Sequence, residues 1–124
     1  LISLSEYCRS HSLYLFLDGA RLGSALTSDV NDLTMADIAS LCDMFYIGGT
    51  KNGALFGEAL VILNEELKDD FRYLIKQRGA MLAKGFLLGI QFETLFTDGL
   101  FYSLARHANK SADILRKTFE KCGI

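Results

Sequence analysis

Two polar residues stand directly after short apolar runs. Asp18 closes LYLFLDGAR, and Lys51 lies 33 positions later in FYIGGTKNGALFG. Ligands of open α/β sheets collect beyond the carboxyl ends of strands, so a carboxylate and an amine at two such ends can share one site. Arg21 follows Asp18 by three residues and adds a cation. Lys51 sits among small neighbours: Gly48, Gly49 and Thr50 before it, Gly53 and Ala54 after it. Such a loop could clear room for a flat, phosphorylated ligand, with Thr50 offering a hydroxyl and a backbone N–H to the phosphate. An apolar surround favours the neutral, nucleophilic form of a lysine amine. Each position also has a plainer reading. Asp-Gly is a common turn after a strand, with Arg21 as its salt partner. Lys51 would then be a solvated loop lysine, and the glycines ordinary turn residues.

The functional alternative for the pair is pyridoxal 5'-phosphate chemistry. That cofactor needs an amine for its aldehyde. It also needs a carboxylate at the pyridine nitrogen, which keeps the nitrogen protonated so that the ring can accept electrons. Asp18 at one strand end and Lys51 at another meet both demands.

The elements that must position these residues follow from the hydrophobic pattern. Residues 1–11 read as a helix ending in Ser-His-Ser. Leu13 to Leu17 is a short, almost wholly apolar run closed by Asp-Gly, which predicts a strand buried on both faces. Thr34 is placed to cap a short helix reaching about Cys42, with Asp37 in the reciprocal capping position. Met44–Ile47 and Glu58–Leu63 read as two further strands. Asn64 caps a helix whose first turn carries Glu65 and Glu66; Leu67, Phe71, Leu74, Ile75 and Arg78 share its inner face, and Gly79 ends it. Residues 81–97 predict a helix apolar nearly all round, hence buried or in an interface. Asp98 is placed to cap a last helix to about Lys121, striped by Phe101, Leu104, Ala105, Ala108, Ala112, Leu115 and Phe119. The early alternation of helix and strand predicts an α/β sheet followed by a helical tail.

Composition narrows the classes. The chain has 124 residues, half of them hydrophobic, with nine Phe and five Tyr. That is the size of one domain with ample core material. A net charge of -2 and the lack of a basic run give no electrostatic case for nucleic acid or an anionic membrane. No charge-free run approaches the ~18 residues of a membrane span, and no signal-peptide layout is present at the start. Cys8, Cys42 and Cys122 are an odd, widely spaced set with no zinc-like spacing, read as buried free thiols in a reducing compartment. These features predict a soluble, cytoplasmic protein. The chain holds no proline, opens at Leu1 and stops at Ile124, which suggests a piece of a longer polypeptide.

Three segments in order carry a family resemblance: LYLFLDGARLGSAL, CDMFYIGGTKNGALFGEALVIL and LIKQRGAMLAKGFLLGIQFETLF. Together they resemble the threonine aldolase family, pyridoxal phosphate-dependent lyases of fold type I close to the β-eliminating lyases. Asp-Gly-Ala-Arg resembles a familiar motif of that family, and Gly-Gly-Thr-Lys-Asn-Gly its cofactor-lysine loop. The resemblance implies that Lys51 condenses with the cofactor aldehyde and that Asp18 pairs with the pyridine nitrogen. Arg21 would lie by the cofactor's 3'-oxygen or the substrate carboxylate, and Thr50 would help with the phosphate. Lys76 and Lys84 are candidates for a basic residue that reaches the phosphate region, although KQRGAMLAK is less glycine-rich than the bacterial pattern. The implied reaction cleaves threonine or allo-threonine to glycine and an aldehyde.

The implied fold is part of the large cofactor domain, with a mixed, mostly parallel sheet flanked by helices. Residues 1–124 would be its central and C-terminal part, running into the linker helix. The main phosphate loop and the ring-stacking imidazole would precede Leu1, and the small C-terminal domain would follow Ile124. His11 and His107 do not replace that imidazole and read as surface residues. The isolated piece would then be inactive, and the complete protein a homo-oligomer, dimer or tetramer, acting on a small amino acid. Two other readings stay open at this level. One is a different fold-type I enzyme, an aminotransferase or β-eliminating lyase; the other is a non-catalytic helical interaction module.

Overall fold

The computed structural model describes residues 1–124. The chain begins with helix α1 (Ile2–Ser10) and strand β1 (Phe16–Leu17). Helices α2 (Leu22–Leu26) and α3 (Met35–Leu41) lead to strand β2 (Met44–Gly48). Strand β3 (Glu58–Ile62) and helices α4 (Phe71–Gln77), α5 (Phe86–Phe96) and α6 (Leu100–Lys121) complete the order.

The sheet has three strands in the order β1-β2-β3. β1 runs parallel to β2, with Phe16 opposite Met44 and Leu17 opposite Phe45. β2 and β3 are antiparallel, from Met44 opposite Ile62 to Gly48 opposite Glu58. The sheet is therefore mixed, with one pair of each kind. Strand alternation sends Phe45 and Ile47 to one face, where they join Leu22, Ile38, Cys42, Leu95 and Phe101 in the core. Met44 and Tyr46 point to the other face. No helix is long and apolar enough to cross a membrane.

The capping box of α3 forms as the sequence predicts: the Thr34 hydroxyl accepts from the Asp37 backbone N–H, and the Asp37 carboxylate accepts from Thr34 N–H at 2.7 Å. Other expectations need correction. β1 is shorter than the run LYLFL, because Leu13 N–H bonds back to Cys8 O and Leu15 N–H is taken by Asp43. Nor is it buried on both faces: it is an edge strand, and Phe16 is 53% exposed. The helix expected from Asn64 to Gly79 is broken. Asn64 caps a 3-10 turn, Glu65–Leu67, and Asp70 at φ 55 forces a new start for α4. No residue of α4 is buried.

α5 begins at Phe86 rather than residue 81, and Asp98 is not the cap of α6. Asp98 and Gly99 both take left-handed conformations, and Gly99 is the cap residue. The stripe on α6 is covered only in its first half, where Phe101 and Ala105 are fully buried; Leu115 and Phe119 are open. α2 was not foreseen, since five residues containing a glycine and a serine carry too little periodicity to register. It is held from outside: a Cβ at Gly23 would come within 3.1 Å of Phe101 and 3.2 Å of Ala105 on α6. Cys8 and Cys42 are buried free thiols, whereas Cys122 is exposed.

Candidate active site

The segments carrying Asp18 and Lys51 meet at the carboxyl ends of β1 and β2. Their backbones touch so closely that side chains are excluded from both. A Cβ at Gly19 would lie 1.7 Å from Tyr46 O, and one at Gly48 would lie 2.3 Å from Ala20 O. A hydrogen bond from Gly48 N–H to Gly19 O, 2.9 Å, locks the two segments together. The sequence reading assigned Gly48, Gly49 and Gly53 to making room for a ligand. The structure corrects this, because those glycines make room for the protein itself. Gly49 abuts Gly57 O and Ala54, and Gly53, at φ +104, abuts Leu104.

Asp18 follows β1 in register with Tyr46 on β2, so the two share the sheet face away from the core. Tyr46 donates its hydroxyl to Asp18 Oδ1, and the Ala20 N–H donates to the same oxygen at 3.0 Å. No other hydrogen bond or ion pair reaches the Asp18 carboxylate, so Oδ2 keeps its full capacity to accept. The Tyr46 bond foremost, then the Ala20 N–H, and more weakly the charges of Lys51 and Arg21, hold the Asp18 carboxyl below its ordinary range. The reciprocal effect, led by the bond to Asp18, pushes the Tyr46 phenol up to about 12. Asp18 is therefore ionised at neutral pH.

Arg21 is the residue preceding α2 and is exposed. It forms no ion pair with Asp18, contrary to the turn-and-salt-bridge alternative. Thr50 and Lys51 are exposed in the turn after β2. The apolar surround expected for Lys51 is not supplied by residues 1–124. Gly49 N–H donates to Glu58 Oε2 at 3.0 Å, and Asn52 Nδ2 donates to Phe101 O at 2.9 Å. These two bonds fix the lysine turn at both ends, against β3 and α6. Gln91 on α5 anchors the far side of the loop, accepting from Leu55 N–H at 2.7 Å.

Sequence reasoning had missed Tyr46, Asn52, Glu58 and Gln91. None carried a local signal; Tyr46 falls on the face of Asp18 only once the register of β1 against β2 is known. Lys76, Lys84, His11 and His107 are all exposed. His11 stacks on Tyr7 with ring centroids 4.1 Å apart. A hollow of about 820 Å³ lies elsewhere, between Thr27–Val30 and Arg106–Arg116 of α6, and touches none of these residues.

The donor set fits a phosphorylated pyridine aldehyde. An ionised carboxylate with one oxygen open suits a protonated ring nitrogen, an accessible amine suits the aldehyde, and a hydroxyl at a turn suits phosphate. A guanidinium free of ion pairs suits a phenolate or carboxylate oxygen.

The family model for beta-eliminating lyases matches residues 1–124. A low specificity L-threonine aldolase of a Pseudomonas species is 38% identical over 119 residues, 93% of this chain and 33% of that protein. Its namesake from Pseudomonas aeruginosa is 34% identical over the same shares. Among solved structures, Leishmania major threonine aldolase superposes with a TM-score of 0.98 at 64% identity, over 99% of this chain and 36% of that one. The chain thus spans about a third of the length of the relatives it matches. The superposition places its α/β architecture in fold type I, as the sequence had suggested.

Proposed function

The chain belongs to the beta-eliminating lyase family, and from that premise we propose that the complete protein is a pyridoxal phosphate-dependent threonine aldolase. It would cleave threonine, allo-threonine and similar β-hydroxy-α-amino acids to glycine and an aldehyde. The observation that carries this reading is the meeting of Asp18 and Lys51 at adjacent parallel strand ends, locked by Gly19 and Gly48. The threonine aldolases among its relatives support the choice of reaction.

When bound, the cofactor supplies a protonated ring that takes up the electrons released as the Cα–Cβ bond breaks. The remaining work falls to side chains. Lys51 Nζ would provide the amine that holds the cofactor's aldehyde. Asp18 Oδ2, which has no protein partner, would accept the hydrogen bond of the ring N–H and keep the proton there. Thr50 offers its hydroxyl and backbone N–H to the phosphate, and Arg21 its guanidinium to the 3'-oxygen or the substrate carboxylate.

Residues 1–124 would form the central and C-terminal part of the large cofactor domain, without the groups needed for turnover alone. The apolar side chains left open on α5, Phe86 at 62% and Ile90 at 52%, support a face covered by other parts of the complete protein and by a partner subunit of a homo-oligomer. The buried free thiols of Cys8 and Cys42 support a cytoplasmic setting.

The test uses the complete protein loaded with pyridoxal phosphate, reduced with borohydride and digested. A pyridoxyl group on Lys51, with glycine and acetaldehyde released from threonine, is the expected result. A folded protein whose Lys51 stays unmodified would remove the cofactor reading. Release of a keto acid or ammonia instead of glycine would keep the cofactor and change the reaction.

A further inference from the structure

The Asp18 carboxylate has two oxygens but receives both of its protein hydrogen bonds on one of them. Tyr46 Oη and Ala20 N–H converge on Oδ1. The Ala20 bond is a local turn contact two residues along the chain. It ties the carboxylate only to its own turn, not to the neighbouring strand. The Tyr46 bond comes from a different strand and approaches from across the sheet. Its donor is also well seated. Tyr46 lies in the middle of β2, paired with Leu60 on β3, and its ring packs near Phe16 with centroids 6.1 Å apart.

We infer that Tyr46 is a positioning residue for the cofactor: by engaging Oδ1 from the neighbouring strand, it fixes the Asp18 rotamer and presents Oδ2 to the ligand's protonated ring nitrogen. The inference rests on the cofactor reading above and deepens it. Tyr46 does not touch the reacting atoms; it acts through Asp18. Two donors on one oxygen also keep the carboxylate ionised, so the proton between ring and carboxylate stays on the ring. A tyrosine suits this task better than a cation would. It donates one directed hydrogen bond and adds no positive charge beside the ring N–H.

A residue that acts through another loses its effect when that other is disabled, which a double-mutant cycle measures directly. The complete protein is prepared as wild type, Tyr46→Phe, Asp18→Asn and the double variant. Cofactor affinity is read from the visible absorbance of the bound form at equilibrium, and folding from thermal melts of the cofactor-free proteins. Tyr46→Phe alone should weaken cofactor binding about tenfold, the usual size of a lost hydrogen bond to a charged group. In the Asp18→Asn background the same change should cost less than about twofold. Equal weakening in both backgrounds would mean that Tyr46 only shapes the sheet, and no weakening in the wild-type background would mean that Ala20 alone suffices; either result overturns the inference. Borohydride labelling of Lys51 in the wild type separates this failure from failure of the cofactor reading. A labelled Lys51 with an additive cycle sinks only the role of Tyr46.

Discussion

The two ends of the β1–β2 pair carry the same local chemistry and put it to different uses. Each end has an aspartate that accepts two hydrogen bonds and is held below the ordinary carboxyl range by them. At the amino end, Asp43 Oδ2 accepts from Leu15 N–H at 2.7 Å and Oδ1 from Asn64 Nδ2 at 3.0 Å. The Leu15 bond is the larger cause of its lowered pKa, the Asn64 bond the next. Both oxygens are engaged, and what they hold is the protein: the approach to β1 and the exit from β3. At the carboxyl end, Asp18 places both bonds on one oxygen. Ionisation alone therefore does not mark a functional carboxylate. Nor does an open oxygen alone, since Asp37 in the α3 cap takes both its bonds on Oδ2; what sets Asp18 apart from Asp43 is a whole oxygen without a protein partner at the strand end beside the Lys51 turn.

The largest effect that could break this contrast lies at Lys51. In the complete protein, Lys51→Ala should lower aldehyde release from threonine by about a thousandfold or more, since the amine that engages the cofactor aldehyde is lost. Its thermal midpoint without cofactor should match that of the wild type, because the exposed amine holds no partner. A variant that kept a tenth of its activity would return Lys51 to the status of a loop lysine.

Exchanging the damage between the two aspartates comes next. Asp18→Asn should cost roughly a hundredfold in turnover, the scale for removing one preorganised electrostatic partner, with little change in stability. Asp43→Ala should do the reverse. It strands the half-buried Leu15 N–H and should lower stability by about 1 kcal/mol, while turnover per folded molecule stays within twofold. If both substitutions cut turnover equally, the two ends are not separated in function.

How much of this was legible in the sequence depends on distance along the chain. Asp18, Arg21, Thr50 and Lys51 could be named because their types follow apolar runs directly, and a strand end is a local signal. The capping box of Thr34 and Asp37 was legible for the same reason. Tyr46 reads as one more apolar strand residue until the register Phe16–Met44 is known, and register is a non-local property. The glycines misled because a gap for a ligand and a gap for a neighbouring backbone demand the same missing Cβ. Asp98 misled because an acidic residue before a helix matches the cap pattern, whereas the left-handed turn at Asp98 and Gly99 moved the helix start past it.

Acid sharpens the comparison further. The folded Asp43 carboxyl titrates below its unfolded counterpart, so its contribution is fully present above about pH 4 and is lost as pH falls through the folded value. In urea melts of the complete protein, the gap between wild type and Asp43→Ala should be constant from pH 7 to about 5 and should close toward pH 2. A gap independent of pH would assign the loss to packing rather than to the ionised carboxylate.

The smallest effect is spectroscopic and reads both ends at once, because each end also pairs a tyrosine with a carboxylate. Tyr14 donates to Glu66 Oε2 at 2.6 Å at the amino end, and Tyr46 donates to Asp18 at the other. Both phenols are pushed up, Tyr14 chiefly by its bond to Glu66, and Tyr46 to about 12 chiefly by its bond to Asp18. Ionising either phenol breaks a hydrogen bond and sets two negative charges side by side. Removing the carboxylate charge must therefore let the phenol titrate earlier. In the cofactor-free protein, tyrosinate absorbance followed from pH 9 to 11 should show one additional tyrosine ionising in Asp18→Asn relative to wild type, and Glu66→Gln should move the Tyr14 titration to lower pH. Cofactor should then act differently at the two ends. A ring N–H bound to Asp18 draws charge from that carboxylate and weakens its hold on the phenol, so Tyr46 should move earlier on loading. Tyr14 should not respond, because Glu66 belongs to the end that holds only the protein. A cofactor-induced change at Tyr14, or none at Tyr46, would show that the division between the two ends has been drawn in the wrong place.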